Sequence, residues 1–190
     1  NNPDLIERFN NVRIYVPQSL ILTTECFDEF ISINGLKNLS MEKIDDKEVA
    51  SRFLESKLPE WLKTDLRAFA ALVNYPVAIR SSSLLEDAQF KAYAGLYKTY
   101  IISNAAEEIK TRLKQLADAI KLVYASTYYE GPKSFSRRVG QRTEEEKMAV
   151  IIQQVAGCQY GDHFYPCIAG VDQSHNYYPF SKMKAEEGIA

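Results

Sequence analysis

Arg80 precedes three hydroxyls, Ser81, Ser82 and Ser83, and further on the chain carries Ala94 and Gly95. An acidic pair, Glu86 and Asp87, lies between them. This set of residue types suits a phosphate-bearing ligand. A guanidinium offers a planar fork of donors that matches phosphate oxygens. Serine hydroxyls and free backbone N–H groups add donors, and a glycine lets the main chain come close to a ligand. A second candidate is the polar pair Gln153-Gln154 with Val155 and Ala156, where an apolar run ends. Main-chain groups there could face a planar heterocycle such as adenine. The plainer readings are a surface arginine, a serine turn and a strand end meeting water.

Secondary-structure elements must hold these groups in place. Val77-Ala78-Ile79, entered through Pro76, reads as a short strand ending on Arg80, with the serines opening a loop. The alternating segment from Leu96 to Ile102 reads as the next strand. Met148 to Ile152 is continuously apolar and reads as a strand buried on both faces. Ser19 to Leu22 is another strand, and His163 to Gly170 is a further candidate. Helices are expected from Thr23 or Thr24 to about Gly35, from Lys47 to Lys57 and from Pro59 to about Val73. The clearest helix runs from about Ala105, capped by Ser103 or Asn104, to Ser126. In it Ile109, Leu113, Leu116, Ile120 and Val123 recur at three- and four-residue intervals. Gly131-Pro132 reads as a break before a short basic helix, Lys133 to Gly140. Gln141 to Lys147 reads as a solvated charged run and a subdomain break.

Composition narrows the function classes. Of 190 residues, 46% are hydrophobic and 25% charged, which is the balance of a globular chain able to build a core. The net charge of −2 argues against a broad nucleic-acid surface, and no apolar run is long enough to span a membrane. The three cysteines, Cys26, Cys158 and Cys167, have no metal-like spacing and suit reduced thiols in a cytoplasmic protein. With two histidines, His163 and His175, no zinc site is expected.

Four stretches, in order, resemble one family. VAIRSSSLLEDAQFKAYAGLYKTY is similar to the N-terminal nucleotide-binding domain of phosphoenolpyruvate synthase and pyruvate phosphate dikinase. YVPQSLILTTECFDEFI, IKLVYASTYYEGPKSFSRRVG and MAVIIQQVAG resemble three further segments of that domain. The resemblance covers nearly the whole chain. It implies an α+β, ATP-grasp-like fold with a mixed or antiparallel sheet flanked by helices, and with residues 1–190 forming the N-terminal part of the unit. It also implies ATP and Mg2+ as cofactors. Arg80, Ser81 to Ser83, Ala94 and Gly95 would bind the phosphates, and Gln153 to Ala156 would form the adenine hinge. In this family a phosphoryl group passes from ATP to a histidine on a swivelling domain and then to pyruvate on a third, so the fragment alone would be inactive.

The sequence also departs from the family pattern. No Gly-Gly-Lys element precedes Leu5, and the family's metal-binding carboxylates correspond to positions past Ala190. Neither histidine sits in a phosphocarrier motif. GDHFYPCIAGVDQSHNYYP replaces a shorter family stretch, with Ala169-Gly170-Val171 as the counterpart of Ser-Gly-Val. Related dikinases phosphorylate glucans or antibiotics, so another acceptor stays open. So does a non-catalytic module that kept the fold.

Overall fold

The computed structural model describes residues 15–83, 95–139, 146–176 and 179–188, and only the backbone of 138 and 139. The chain divides into two compact units, 1–155 and 156–190.

The first unit is a four-stranded sheet with helices packed on one face. Its strands are β1 (Ser19–Leu22), β2 (Val77–Ser82), β3 (Tyr100–Ile102) and β4 (Ala149–Gln154), in the order β1-β4-β2-β3. Every neighbouring pair is antiparallel. The helices are α1 (Thr24–Ile33), α2 (Asp46–Glu55), α3 (Glu60–Leu72), α4 (Ile109–Ser126) and α5 (Glu130–Val139). A 3₁₀ segment, Leu36–Met41, follows α1.

One core joins the sheet to the helices. Leu22, Val77, Ile79, Val150 and Ile152 point inward and meet Phe27 and Phe30 of α1, Phe53 of α2, Leu62 and Leu66 of α3, and Ile120 and Val123 of α4. Tyr124 sits among the aromatics, with its ring centroid 5.1 Å from that of Phe27 and 5.5 Å from that of Phe30. These contacts exploit the helical periodicity of each segment, which stacks one apolar stripe over the sheet.

The opposite face of the sheet is bare among the described residues. Ile21 is 59% exposed, Ile101 is 69% exposed, and Arg80 is exposed beside them. This corrects the expectation that Met148 to Ile152 is buried on both faces. Val150 and Ile152 are buried while Ile151 is only partly covered, so β4 alternates as an antiparallel strand does. Other boundaries also differ. Strand β2 runs on through Ser82, because Ser81 and Ser82 pair with Val150 and Ala149. The expected strand from Leu96 is regular only over Tyr100–Ile102.

Asn104 does not cap α4, which starts at Ile109 after Glu108. Instead it adopts a left-handed conformation, and its buried side chain donates to the carbonyls of Val73 at 2.8 Å and Tyr75 at 3.3 Å. Gly131-Pro132 does not break the chain either. Proline's missing N–H costs nothing in a first helical turn, so α5 starts at Glu130 and carries Pro132 there.

The second unit contains a hairpin of β5 (Cys158–Tyr160) and β6 (His163–Tyr165), shorter than the strand expected to reach Gly170. Tyr160 and Tyr165 stack across it with ring centroids 4.6 Å apart. Gly157 is required by close approach. A Cβ there would lie 2.7 Å from the backbone carbon of Tyr165.

Candidate nucleotide site on the bare sheet face

Strand alternation positions the candidate residues. In β2, Val77 and Ile79 face the core, so Ala78, Arg80 and Ser82 face away from it. In β4, Val150 and Ile152 face the core, so Ile151 and Gln153 face away. The register sets Arg80 opposite Ile151 and Ala78 opposite Gln153. Arg80 and Gln153 are therefore diagonal neighbours on the same bare face. Arg80 Nη1 donates to Gln153 Oε1 at 3.0 Å.

The serines lie toward the other end of β2. Ser82 pairs with Ala149, and Ser83, just past the strand, is buried. From the level of Gln153 to that of Ala149 is four residues of strand, about 13 Å at roughly 3.3 Å per residue. The hydroxyl-rich end and the Gln153 end are thus separated by about the reach of an extended nucleotide. Gly95 is left-handed at φ 79°, and among the described residues nothing lies within 4 Å of where a Cβ would stand. Its conformation, not crowding, favours glycine. Ala94, together with Glu86 and Asp87, lies outside the described residues.

The hinge divides. Gln153 lies on the Arg80 face, while Gln154 turns to the helix side and lines a cavity of about 510 Å³ with Leu20, Phe69 and Tyr75. The Gln154 N–H donates to the Gln18 carbonyl at 2.9 Å, and the Val155 N–H donates to the Pro76 carbonyl at 3.0 Å. Those two main-chain donors are engaged within the sheet. Gln153 is thus the hinge side chain that the described structure brings to Arg80. Ala156 begins the second unit.

One charged residue behaves differently from the solvated run expected around it. Glu146 is only 5% exposed and accepts from the Tyr97 hydroxyl at 3.3 Å. It lines a cavity of about 690 Å³ with Phe27, Ile31, Lys37 and Tyr128. The period of two explains its position. Residues 146, 148, 150 and 152 are all buried on one side. Extending the apolar alternation of β4 backwards would have found it. Next to it, Lys147 pairs with Asp28, which raises the lysine's pKa.

Among the described residues, no group of three or more His, Cys, Asp or Glu side chains is arranged to hold a metal ion. No helix among them is long and apolar enough to cross a membrane.

Comparison with known proteins agrees with the fold. The chain is 25% identical over 167 residues to a phosphoenolpyruvate synthase of Neisseria meningitidis, covering 77% of this chain and 20% of that protein. It is 26% identical over 163 residues to a phosphoenolpyruvate synthase of Aeropyrum pernix, covering 75% and 19%. An uncharacterized phosphotransferase of Bacillus subtilis is 26% identical over 141 residues, covering 73% and 15%. The chain thus spans a fifth or less of the length of these curated relatives. Residues 2–188 match the family described as pyruvate phosphate dikinase, AMP/ATP-binding domain. With its helices on an antiparallel, ATP-grasp-like sheet, the chain belongs to that family.

Proposed function

We propose that the bare face of the sheet binds ATP, and that the chain is the ATP-binding part of a dikinase-type phosphotransferase. In this reading Arg80 neutralises phosphate charge, and Ser82 on the same face supplies a donor around the phosphates with Ala94-Gly95, while Ser81 and Ser83, turned to the other side of β2, brace that strand end. Gln153 borders the adenine on the ligand side, and Gln154 and Val155 anchor the hinge behind it through their main-chain bonds. The observation that carries the reading is the placement of Arg80 and Gln153 on one exposed face, joined by a hydrogen bond. A ligand phosphate would draw the guanidinium away from Gln153, exchanging a neutral acceptor for a charged one. Charge-assisted bonds are roughly twice as strong as neutral ones. Phosphoryl transfer depends on such positioning and charge neutralisation more than on covalent chemistry.

The described residues do not fit a metal centre, so no step here runs through Mg2+. In this reading its protein ligands lie outside the described residues. The wider reaction extends the proposal from the two phosphoenolpyruvate synthase relatives. The phosphoryl group would pass to a histidine on a swivelling domain and then to pyruvate, giving phosphoenolpyruvate.

The test is Arg80→Ala in the full-length parent. The carrier histidine should no longer be labelled from ATP, with the circular dichroism spectrum unchanged. Undiminished labelling would remove Arg80 from the site. The isolated chain should bind nucleotide weakly and turn nothing over.

A further inference from the structure

A second candidate binding surface lies on the helical side of the sheet, away from Arg80. The loop between α2 and α3, the start of α3 and the outer stripe of α4 enclose a groove of about 380 Å³. Five lysines line it: Lys57, Lys63, Lys110, Lys114 and Lys121. In a chain of net charge −2 this is a local concentration of positive charge. The three from α4 recur at intervals of four and seven residues, which places them on one stripe of the helix. Between them Leu113 and Ala117, with buried Leu58 opposite, give the groove an apolar floor.

Two contacts build this surface into the fold. The Asn34 side chain accepts from the Lys57 N–H at 2.9 Å and donates to the Lys57 carbonyl at 2.9 Å, pinning the rim. Lys121 Nζ donates to the Leu54 carbonyl at 2.8 Å, which holds its half-buried ammonium in the groove. The counter-charges are incomplete. Glu60 pairs with Lys63 and Asp118 with Lys114, and Glu55 also lines the groove. Among the described residues neither Lys57 nor Lys110 forms a salt bridge. Burial lowers the Lys121 pKa, and the Lys114 and Lys63 ammoniums lower it further against the pull of Asp118. An anion placed there would offset the repulsion among these ammoniums.

We propose that this groove binds a small phosphate ester, its dianionic head among the lysines and its apolar body on Leu58, Leu113 and Ala117. The volume lies within the range of small-ligand sites, and the pairing of an apolar floor with convergent polar groups is their usual makeup. The proposal does not rest on the nucleotide reading, since Arg80 lies on the opposite face of the sheet.

Calorimetric titration of the 190-residue chain with phenyl phosphate and with inorganic phosphate tests it. Phenyl phosphate should bind saturably and several-fold more tightly than inorganic phosphate, and added salt should weaken both. Lys110→Gln, an exposed change, should weaken phenyl phosphate about tenfold, the effect of losing one charge-assisted contact. Lys121→Met should do the same. If that variant unfolds, Lys110→Gln and Lys57→Gln decide the matter. Arg80→Ala should leave the titration unchanged while removing nucleotide binding. The idea fails if no saturable heat appears, if the two phosphates bind equally, or if Arg80→Ala and not the lysine changes abolishes binding.

Discussion

Arg80 and Gln153 are 73 residues apart in the chain, yet their side chains meet at 3.0 Å across two antiparallel strands. The contact joins the two segments whose residue types pointed to a ligand. The guanidinium's role there depends on its planar fork of donors as well as on its charge. Arg80→Lys keeps the charge and loses the planar fork. Nucleotide affinity should fall roughly tenfold, about 1.4 kcal/mol, with little change in unfolding midpoint. Titration of the full-length parent with ATP, alongside urea denaturation, measures both.

Ile151 and Ile152 are adjacent in β4 but face opposite sides. Ile152 is 1% exposed in the core, whereas Ile151 lies partly uncovered on the bare face. Ile152→Ala should destabilise the chain by about 2–4 kcal/mol through lost burial and a residual cavity. Ile151→Thr should stay within about 1 kcal/mol. Urea denaturation of both variants checks the alternation, and equal losses would mean that both faces are covered.

Tyr124 is fully buried, and among the described residues its hydroxyl has no hydrogen-bond partner. Burial, with Cys26 nearby, pushes its pKa far up. An unsatisfied buried hydroxyl costs about 1–3 kcal/mol, so Tyr124→Phe should stabilise the fold by about 1 kcal/mol once the small void is allowed for. A loss of stability would mean that the hydroxyl has found a partner.

Asn104 combines a left-handed backbone at φ 53° with two bonds to carbonyls of the α3–β2 connection. Asn104→Ala should cost about 2 kcal/mol, because alanine resists that conformation and the Tyr75 carbonyl loses a donor. The Val73 carbonyl keeps Arg112, whose Nη1 lies 3.0 Å away. Asn104→Gly relieves the backbone and still loses the bonds. It should fall between the wild type and the alanine variant in urea denaturation.

Burial, and then Tyr100 and Asp46, push the Tyr129 pKa up from 10.0 to about 12. The folded state therefore holds this proton more tightly than the unfolded chain. Its contribution is complete below pH 10 and is lost as pH rises toward about 12. The Lys147 ammonium, raised by Asp28, acts in the same direction. Unfolding midpoints should fall over this window, and Tyr129→Phe should flatten the fall. A Tyr129→Phe profile that matches the wild type would exclude the hydroxyl as a source.

The sequence made the helices legible because their apolar stripes repeat at the helical period and survive without tertiary information. α3 and the core of α4 fall where Leu62, Leu66, Ile120 and Val123 placed them. The candidate ligand residues were legible as types, through Arg80 with its serines and the Gln153 pair. Their meeting was not, because strand order and register depend on contacts across the whole chain. The reach of β2 through Ser82 was hidden for the same reason, since hydroxyl residues join a ladder when a partner strand is present. Gly131-Pro132 misled because the pair reads as punctuation, although proline fits a first helical turn. The burial of Glu146 was masked by the acidic run before it.

The Asn34 amide that pins Lys57 is followed directly by Gly35. Asparagine before glycine is the context in which the next backbone nitrogen most readily attacks the side-chain amide carbon, expelling ammonia to form a cyclic imide that water then opens to a carboxylate. While folded, this amide is held toward the Phe30 and Lys57 carbonyls and kept from that reaction. When unfolded it is not, and the resulting carboxylate could no longer donate to either carbonyl. Each unfolding episode would then leave some molecules with a permanently weakened joint, so the chain should age through its excursions from the native state. Peptide mapping after repeated denaturation cycles would show this as a carboxylate accumulating at position 34.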